Sequence, residues 1–304
     1  MPQILDGTAV RNEILERLKP RIAQLKRKPG LAVVLVGHNP ASEVYVRSKI
    51  KTCGEIGIFS DKLTPPETIT TDEMLALIDD LNRRPDIDGI LVQMPLPKHV
   101  DTQKVLESVA PDKDADGFHP VNVGHLVAGR PAPRACTPAG IMELLKYYKI
   151  PVDGRRAVVL GRSDIVGKPM ALMLLHENAT VTICHSRTSE LADECHRADI
   201  LVAAIGRAGM VTGDFLAPGA TVIDVGMNRV TDRAVAERLG KAEEFDRKGS
   251  VLVGDVHPVE VARVASAYTP VPGGVGPLTI AMLMANTVAL AEQHQAGAAS
   301  RTNA

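Results

Sequence analysis

Tyr45 and Lys49 stand four residues apart in VYVRSKI, so on a helix both side chains project from one face. A phenol and an amine so placed can stack on a flat substrate and move a proton. Equally, they can be core packing beside a solvated amine. Gln93 ends the apolar run Ile87–Val92, and ligands of open parallel sheets sit beyond the carboxyl ends of strands. Its amide can satisfy backbone groups there, or hold a lysine amine in place without offering it a charge. Asp114 and Asp116, in KDADGFHP, suit turn formation, and closeness in sequence does not by itself make them an acid/base couple. The last group is AVVLGRSDIVGKPM, residues 157–170. An apolar run ends in Gly161, a polar turn follows, and then come Gly167, Pro169 and an apolar helical series. A strand, a tight glycine turn and a helix start aim backbone N–H groups and the positive helix end at a phosphate. Ser163 stands where the usual G-x-G-x-x-G has its second glycine, so a turn with no ligand stays open as the alternative.

The residues around that turn bear on which nucleotide it would hold. NAD sites usually carry Asp or Glu at the end of the second strand, on the ribose 2′-hydroxyl. Here the second strand ends Cys184-His185-Ser186-Arg187, without a carboxylate, and Arg162 follows Gly161 directly. A 2′-phosphate takes cationic and hydroxyl donors, so Arg162, Arg187 and Ser186 favour NADP over NAD. The plainer reading of both arginines is a solvated surface charge. His119 and His257 precede prolines in separate loops without metal-ligand spacing, and no metal is expected.

These residues need elements to position them. Val10, Ile14, Leu18, Ile22 and Leu25 recur at helical steps, with Pro20 a candidate kink. Leu31–Val36 reads as a strand buried on both faces, followed by a helix over about 42–55 that carries Tyr45 and Lys49. Thr70 and Glu73 form a capping box for a helix whose inner face is Met74, Leu77, Ile78 and Leu81. Residues 111–134 read as loop around a short apolar patch at Leu126, and Thr137-Pro138 opens another helix. A second strand series follows: Ala157–Leu160, Val181–Cys184, Ile200–Ala204, Val222–Val225 and Val251–Val253. After TPVPGGVGP (269–277), an apolar helix over about 278–292 is expected to return to the first domain.

The expected fold is α/β with two doubly wound domains and a cleft between them. The first domain is 1–138 with 278–296, the second is a Rossmann-type unit over 139–277, and 297–304 is a disordered tail. A formal charge of -1 without a Lys/Arg run, 3% aromatics and no Trp argue against nucleic acid or an anionic membrane as partner. No uninterrupted apolar run reaches membrane-spanning length, and the start lacks a secretory apolar core. Four scattered cysteines read as reduced thiols, and the expected location is cytoplasmic.

YVRSK at 45–49, VQMPLP at Gln93, PDKDADGFHP at Asp116, GRSDIVGKP at Gly161 and TPVPGGVGP near the end occur in order across almost the whole chain. Together they resemble the bifunctional methylenetetrahydrofolate dehydrogenase/cyclohydrolase family. The resemblance implies oxidation of 5,10-methylenetetrahydrofolate by NADP and hydrolysis of the methenyl product to 10-formyltetrahydrofolate, in one-carbon metabolism and purine biosynthesis. It also implies a homodimer with tetrahydrofolate derivatives as ligands. Lys49 would be the catalytic lysine, Gln93 its hydrogen-bonding partner and Tyr45 the stacking ring. Asp116 would hold the pterin edge, and Gly273, Gly274 and Pro277 would border the folate. Gly161, Arg162, Ser163 and Ser186 would take the cofactor, with Met227 beside it where many relatives have isoleucine. Two other readings remain: a two-domain NADP dehydrogenase of a small hydroxy or amino acid, and a folate- or nucleotide-binding protein without turnover. The first gives no reason for the Tyr45, Lys49, Gln93 and Asp116 set, and an intact Lys49 and Gln93 weigh against the second.

Overall fold

The computed structural model describes residues 1–302, with the side chains at 40–41 and 298–302 outside that description. The chain forms two compact α/β units, Asn12–Cys136 with Ile280–Ala304 and Met1–Arg11 with Thr137–Thr279.

In the first unit three parallel strands run in the order Phe59–Leu63, Gly30–Val34, Gly89–Val92. Every residue of the central strand is buried, as a both-face apolar run requires. Phe59–Leu63 is half exposed and reads FSDKL, so no apolar pattern marks it in the sequence. Ile90 bridges Asp114 in parallel, which carries the segment bearing Asp116 along the edge of Gly89–Val92. The Thr70–Glu73 capping box closes in both directions and starts the helix Thr71–Arg83, with Met74, Ile78 and Leu81 buried. Residues 111–134, expected as loop, contain the helix Pro120–Val127. Pro120 pre-sets its first turn and Leu126 buries its inner face.

The last helix, Val275–Thr302, starts before the expected Leu278, because Pro277 in a first turn forfeits no intrahelical bond. The tail expected over 297–304 is helical as far as Thr302, and 303–304 lie outside the described residues. Val275–Gly297 is long and apolar enough to cross a membrane by length and mean composition alone, although Asn286, Thr287 and Glu292 interrupt it, so the expectation of no uninterrupted apolar run of that length stands. Leu283, Met284, Val288 and Ala291 of this helix are buried in the protein's own core. Asp88, fully buried, ties its far end to the sheet. It accepts the Gly30 N–H, both Arg27 guanidinium nitrogens and a hydrogen bond from His294 Nδ1.

The second unit holds a six-stranded parallel sheet: Gln3–Ile4, Ala267–Tyr268, Thr221–Asp224, Ile200–Ala203, Arg156–Leu160, Thr180–Cys184. Val251–Val253, expected in this series, pairs instead with Asn228–Val230 in an antiparallel ribbon. Two-residue strands complete the sheet, too short for any periodicity to reveal. One of them brings residues 1–11, expected with the first domain, into this unit. The strand order reverses at Arg156–Leu160. The next strand lies on one side of it and the following strand on the other, which opens a crevice at their carboxyl ends.

Candidate functional site

In the first unit, Tyr45 and Lys49 project from the helix Pro40–Ile56, Tyr45 partly exposed and Lys49 buried. Lys49 Nζ donates to Gln93 Oε1 at 3.0 Å. Gln93 Nε2 donates to the Met94 carbonyl at 2.8 Å, which orients the amide so that its oxygen faces the lysine. The two roles open to this glutamine are thus filled together. Its backbone N–H continues the sheet to Val34 O at 2.9 Å, so the strand end fixes the side chain's origin.

Asp114 and Asp116 part company. Asp114 is buried and accepts from Gly117 N (3.0 Å), His119 N (2.8 Å) and Asn122 Nδ2 (2.9 Å), so turn formation is its work. Asp116 lies in the field of Lys49. Burial pushes its carboxyl up to about 7, against the Lys49 cation and reinforced by Asp114. Gly117, at φ 73°, has no room for a Cβ, which would sit 2.3 Å from the Arg134 carbonyl carbon, and this packing locks the loop beyond Asp116.

In the second unit, Gly161 at φ 131° passes so near Ala204 that a Cβ would lie 2.2 Å from its carbonyl oxygen. Gly167 presses equally hard on Gly161 O, at 2.3 Å. Ser163, exposed, folds its hydroxyl back onto the turn: its Oγ accepts from Val166 N (3.2 Å) and Gly167 N (3.3 Å), so a hydroxyl closes the turn where a second glycine is usual. Beyond the strand ends lies a cavity of ≈ 490 Å³ whose lining includes Gly161, Arg162, Ser186, Ile205, Arg207 and Met210. Its polar lining residues are Arg162, Arg207, Ser186 and His185, with no Asp or Glu among them, a set of donors that fits a nucleotide carrying an extra phosphate. Leu191, Ile205 and Met210 give the apolar wall a flat base requires. Met227 lies against the 273–277 turn, where a Cβ on Gly276 would be 3.1 Å from Met227 Cε. That turn is pinned within the same unit by Gly7 N–H to Gly273 O (3.0 Å) and Gly274 N–H to Pro270 O (2.8 Å). Among the described residues no cluster of His, Cys, Asp or Glu is arranged to hold a metal ion.

A buried amine oriented by an amide, a carboxyl beside it and a glycine-turn nucleotide crevice therefore occur in one chain. Residues 5–116 match the model of the tetrahydrofolate dehydrogenase/cyclohydrolase catalytic domain, and 135–295 match that family's NAD(P)-binding domain. The chain belongs to the tetrahydrofolate dehydrogenase/cyclohydrolase family. It is 66% identical to a bifunctional protein FolD of Solibacter usitatus, over 96% of this chain and 98% of that one. Among solved structures it resembles the bifunctional FolD dehydrogenase/cyclohydrolase of Campylobacter jejuni, at 44% identity and TM-score 0.89, covering 96% and 99% of the two chains. It also resembles the Trypanosoma brucei enzyme, solved with NADP cofactor and an inhibitor, at 37% identity and TM-score 0.87, covering 96% and 98%.

Three residues of this dehydrogenase/cyclohydrolase escaped the sequence reading. Arg207, not Arg187, lines the cavity with Arg162. The signal for it was a Gly-Arg pair just past the Ile200–Ala203 strand. Asn286 Nδ2 donates to Ala115 O (2.8 Å) and Arg134 O (2.9 Å), bracing the peptide before Asp116. Its signal was a lone amide within the mostly apolar stretch 280–291. Cys136 Sγ donates to Ala115 O at 3.5 Å, and burial, with Asp116 adding to it, pushes the thiol well above its usual range.

Proposed function

We propose that this chain oxidises 5,10-methylenetetrahydrofolate with NADP and hydrolyses the methenyl product to 10-formyltetrahydrofolate, with Lys49 carrying the proton movements of the second step. The observation that carries this reading is the Lys49 Nζ–Gln93 Oε1 hydrogen bond beside Asp116. Bound NADP supplies the hydride acceptor. The protein's part in that step is to hold the folate carbon and exclude water. Hydrolysis needs a group that takes a proton from attacking water and returns one to the departing nitrogen. A neutral amide partner keeps the lysine oriented, whereas a carboxylate there would hold it protonated. Tyr45 offers a half-exposed ring for stacking, and Asp116 two acceptor oxygens for a pterin edge. Gly161, Arg162, Ser186 and Met227 take the cofactor, Ser163 shapes their turn, and Gly273, Gly274 and Pro277 border the folate. One absorbance experiment tests the reading: with methylenetetrahydrofolate and NADP supplied, NADPH rises and the methenyl species does not accumulate. Absence of NADPH overturns the oxidation, and NADPH with accumulating methenyl product overturns the hydrolysis.

The Asp116 carboxyl sets a pH dependence. Its folded value, about 7, lies above the ordinary 3.8, so a proton is gained as pH falls through about 7. The protonated acid loses one of two acceptor sites, and kcat/KM for the folate is expected to fall by about tenfold per unit below that point. Asp116→Asn removes this limb of the profile. A limb that survives in that variant rules out Asp116 as its source.

A homodimer fits the free edge of the six-stranded sheet. Among the described residues no strand pairs with the outer side of Thr180–Cys184, and Ile183 is exposed. Four free, buried thiols fit a reducing cytoplasm, and a formal charge of -1 with 3% aromatics fits a partner that is neither nucleic acid nor an anionic membrane. The formyl product places the reaction in one-carbon supply, including purine biosynthesis.

A further inference from the structure

Asp255 is fully buried, and four donors converge on its carboxylate. Oδ2 accepts the N–H groups of Ile205 (2.7 Å) and Gly206 (2.9 Å); Oδ1 accepts Arg207 N–H (2.8 Å) and Asn228 Nδ2 (2.9 Å). Three of these donors are consecutive amides of one loop. The last sheet bond before it is Ala204 N–H to Leu160 O, and the next anchor after it is Gly209 N–H to Gly254 O. Between those points a single side chain takes every N–H of residues 205–207. Ile205 and Arg207 are also the loop's contribution to the nucleotide cavity, and Asn228 adjoins Met227 in sequence.

Asp255 is itself held from behind. Asp224 accepts the Asp255 N–H (2.8 Å) and the Val256 N–H (3.0 Å), while its Oδ1 also takes Gly226 N–H (2.9 Å). The packing is so close that a Cβ on Gly254 would lie 1.7 Å from Asp224 Oδ2, and one on Gly226 2.4 Å from Asp255 Oδ1. The two acids thus join the loops that follow the strands Ile200–Ala203, Thr221–Asp224 and Val251–Val253. A carboxylate suits this place because it offers only acceptors to four donors. A carboxamide would turn an N–H₂ group toward two of them.

We propose that Asp255 is a positioning residue for the nucleotide cofactor: by gathering the 205–207 amides it sets where the Arg207 guanidinium and the Ile205 side chain stand in the cavity, and so sets cofactor affinity. The proposal rests on the reading of that cavity as the NADP site. Asp255→Asn tests it, with NADP varied in the dehydrogenase assay, NADPH titrated at equilibrium, and hydrolysis of methenyltetrahydrofolate followed without nucleotide. KM and Kd for the cofactor are expected to rise about tenfold, with kcat at saturating NADP and nucleotide-free hydrolysis each within about twofold. Loss of both reactions together with an unchanged KM for NADP overturns the proposal in favour of a purely structural acid. Should Asp255→Asn not fold, Asn228→Ala removes one donor and leaves the carboxylate. It is expected to raise the NADP KM about threefold, and an unchanged KM overturns the proposal. Arg162→Ala separates the two levels. If it leaves NADP affinity unchanged, the cavity reading falls and takes this proposal with it. If it weakens NADP while Asp255→Asn does not, the positioning role alone falls.

Discussion

Lys49→Met is expected to lower hydrolysis of methenyltetrahydrofolate by about 10³-fold, within the range for a positioned acid–base group, while NADP binding stays unchanged. Methionine keeps much of the length and apolar stem that a buried position on the helix Pro40–Ile56 requires. What it removes is the proton carrier and the donor to Gln93 Oε1. Folate binding changes as well. The Lys49 cation opposes the burial that pushes Asp116 up to about 7, so removing it drives that carboxyl higher still. At neutral pH the variant therefore binds folate more weakly, and at a higher pH the loss is recovered, because Asp116 is then ionised again. Decay of the methenyl absorbance, measured at both pH values, isolates the lysine from this secondary effect. Hydrolysis within about tenfold of the unaltered enzyme at the higher pH would falsify the assignment of Lys49 as the proton carrier.

The parts of this molecule that follow from local periodicity were readable in the chain. The Leu31–Val36 run, the Thr70–Glu73 box and the strand-turn-helix at Gly161 each carry their reason within about ten residues. Lys49 and Gln93 were readable for the same cause: one sits on a helix face and the other at a strand's end. What escaped was whatever distant segments decide. Gln3–Ile4 is a strand only because Ala267–Tyr268 lies beside it, and FSDKL is one only because Gly30–Val34 supplies the ladder. Val251–Val253 shows the reverse error, since an apolar triplet reads as sheet core whichever sheet it joins. Polar side chains divide likewise. Asp114 and Asp116 look alike in KDADGFHP, and only the donors that reach Asp114 separate a turn builder from a group facing Lys49. Arg187 stands out in the sequence because a strand's end is visible there, whereas the loop that carries Arg207 to the cavity is held by Asp255, about fifty residues later.

Arg162→Ala is expected to raise KM for NADP about thirtyfold and KM for NAD by no more than about twofold, since only the first carries the extra phosphate. Arg162 is exposed, so its attraction for a dianionic group is screened by water and salt, and Arg207 shares the same cavity. Both facts keep the loss below what a buried, solitary guanidinium would give. They also make it depend on conditions: the difference between the two cofactors should narrow as ionic strength rises. Arg187→Ala is the matched control, because Arg187 is not among the cavity's lining residues and its backbone N–H is turned to His185 Nδ1. Removing it takes away the same charge from a position one residue past Ser186 and is expected to leave KM for NADP unchanged. Equal losses for NADP and NAD in Arg162→Ala would move that side chain off the 2′-phosphate, whereas equal losses from Arg162→Ala and Arg187→Ala would reduce the preference to net charge. A large loss at 162 with none at 187 leaves only a directed contact, which is what a guanidinium placed directly after the glycine of a nucleotide turn is shaped to make.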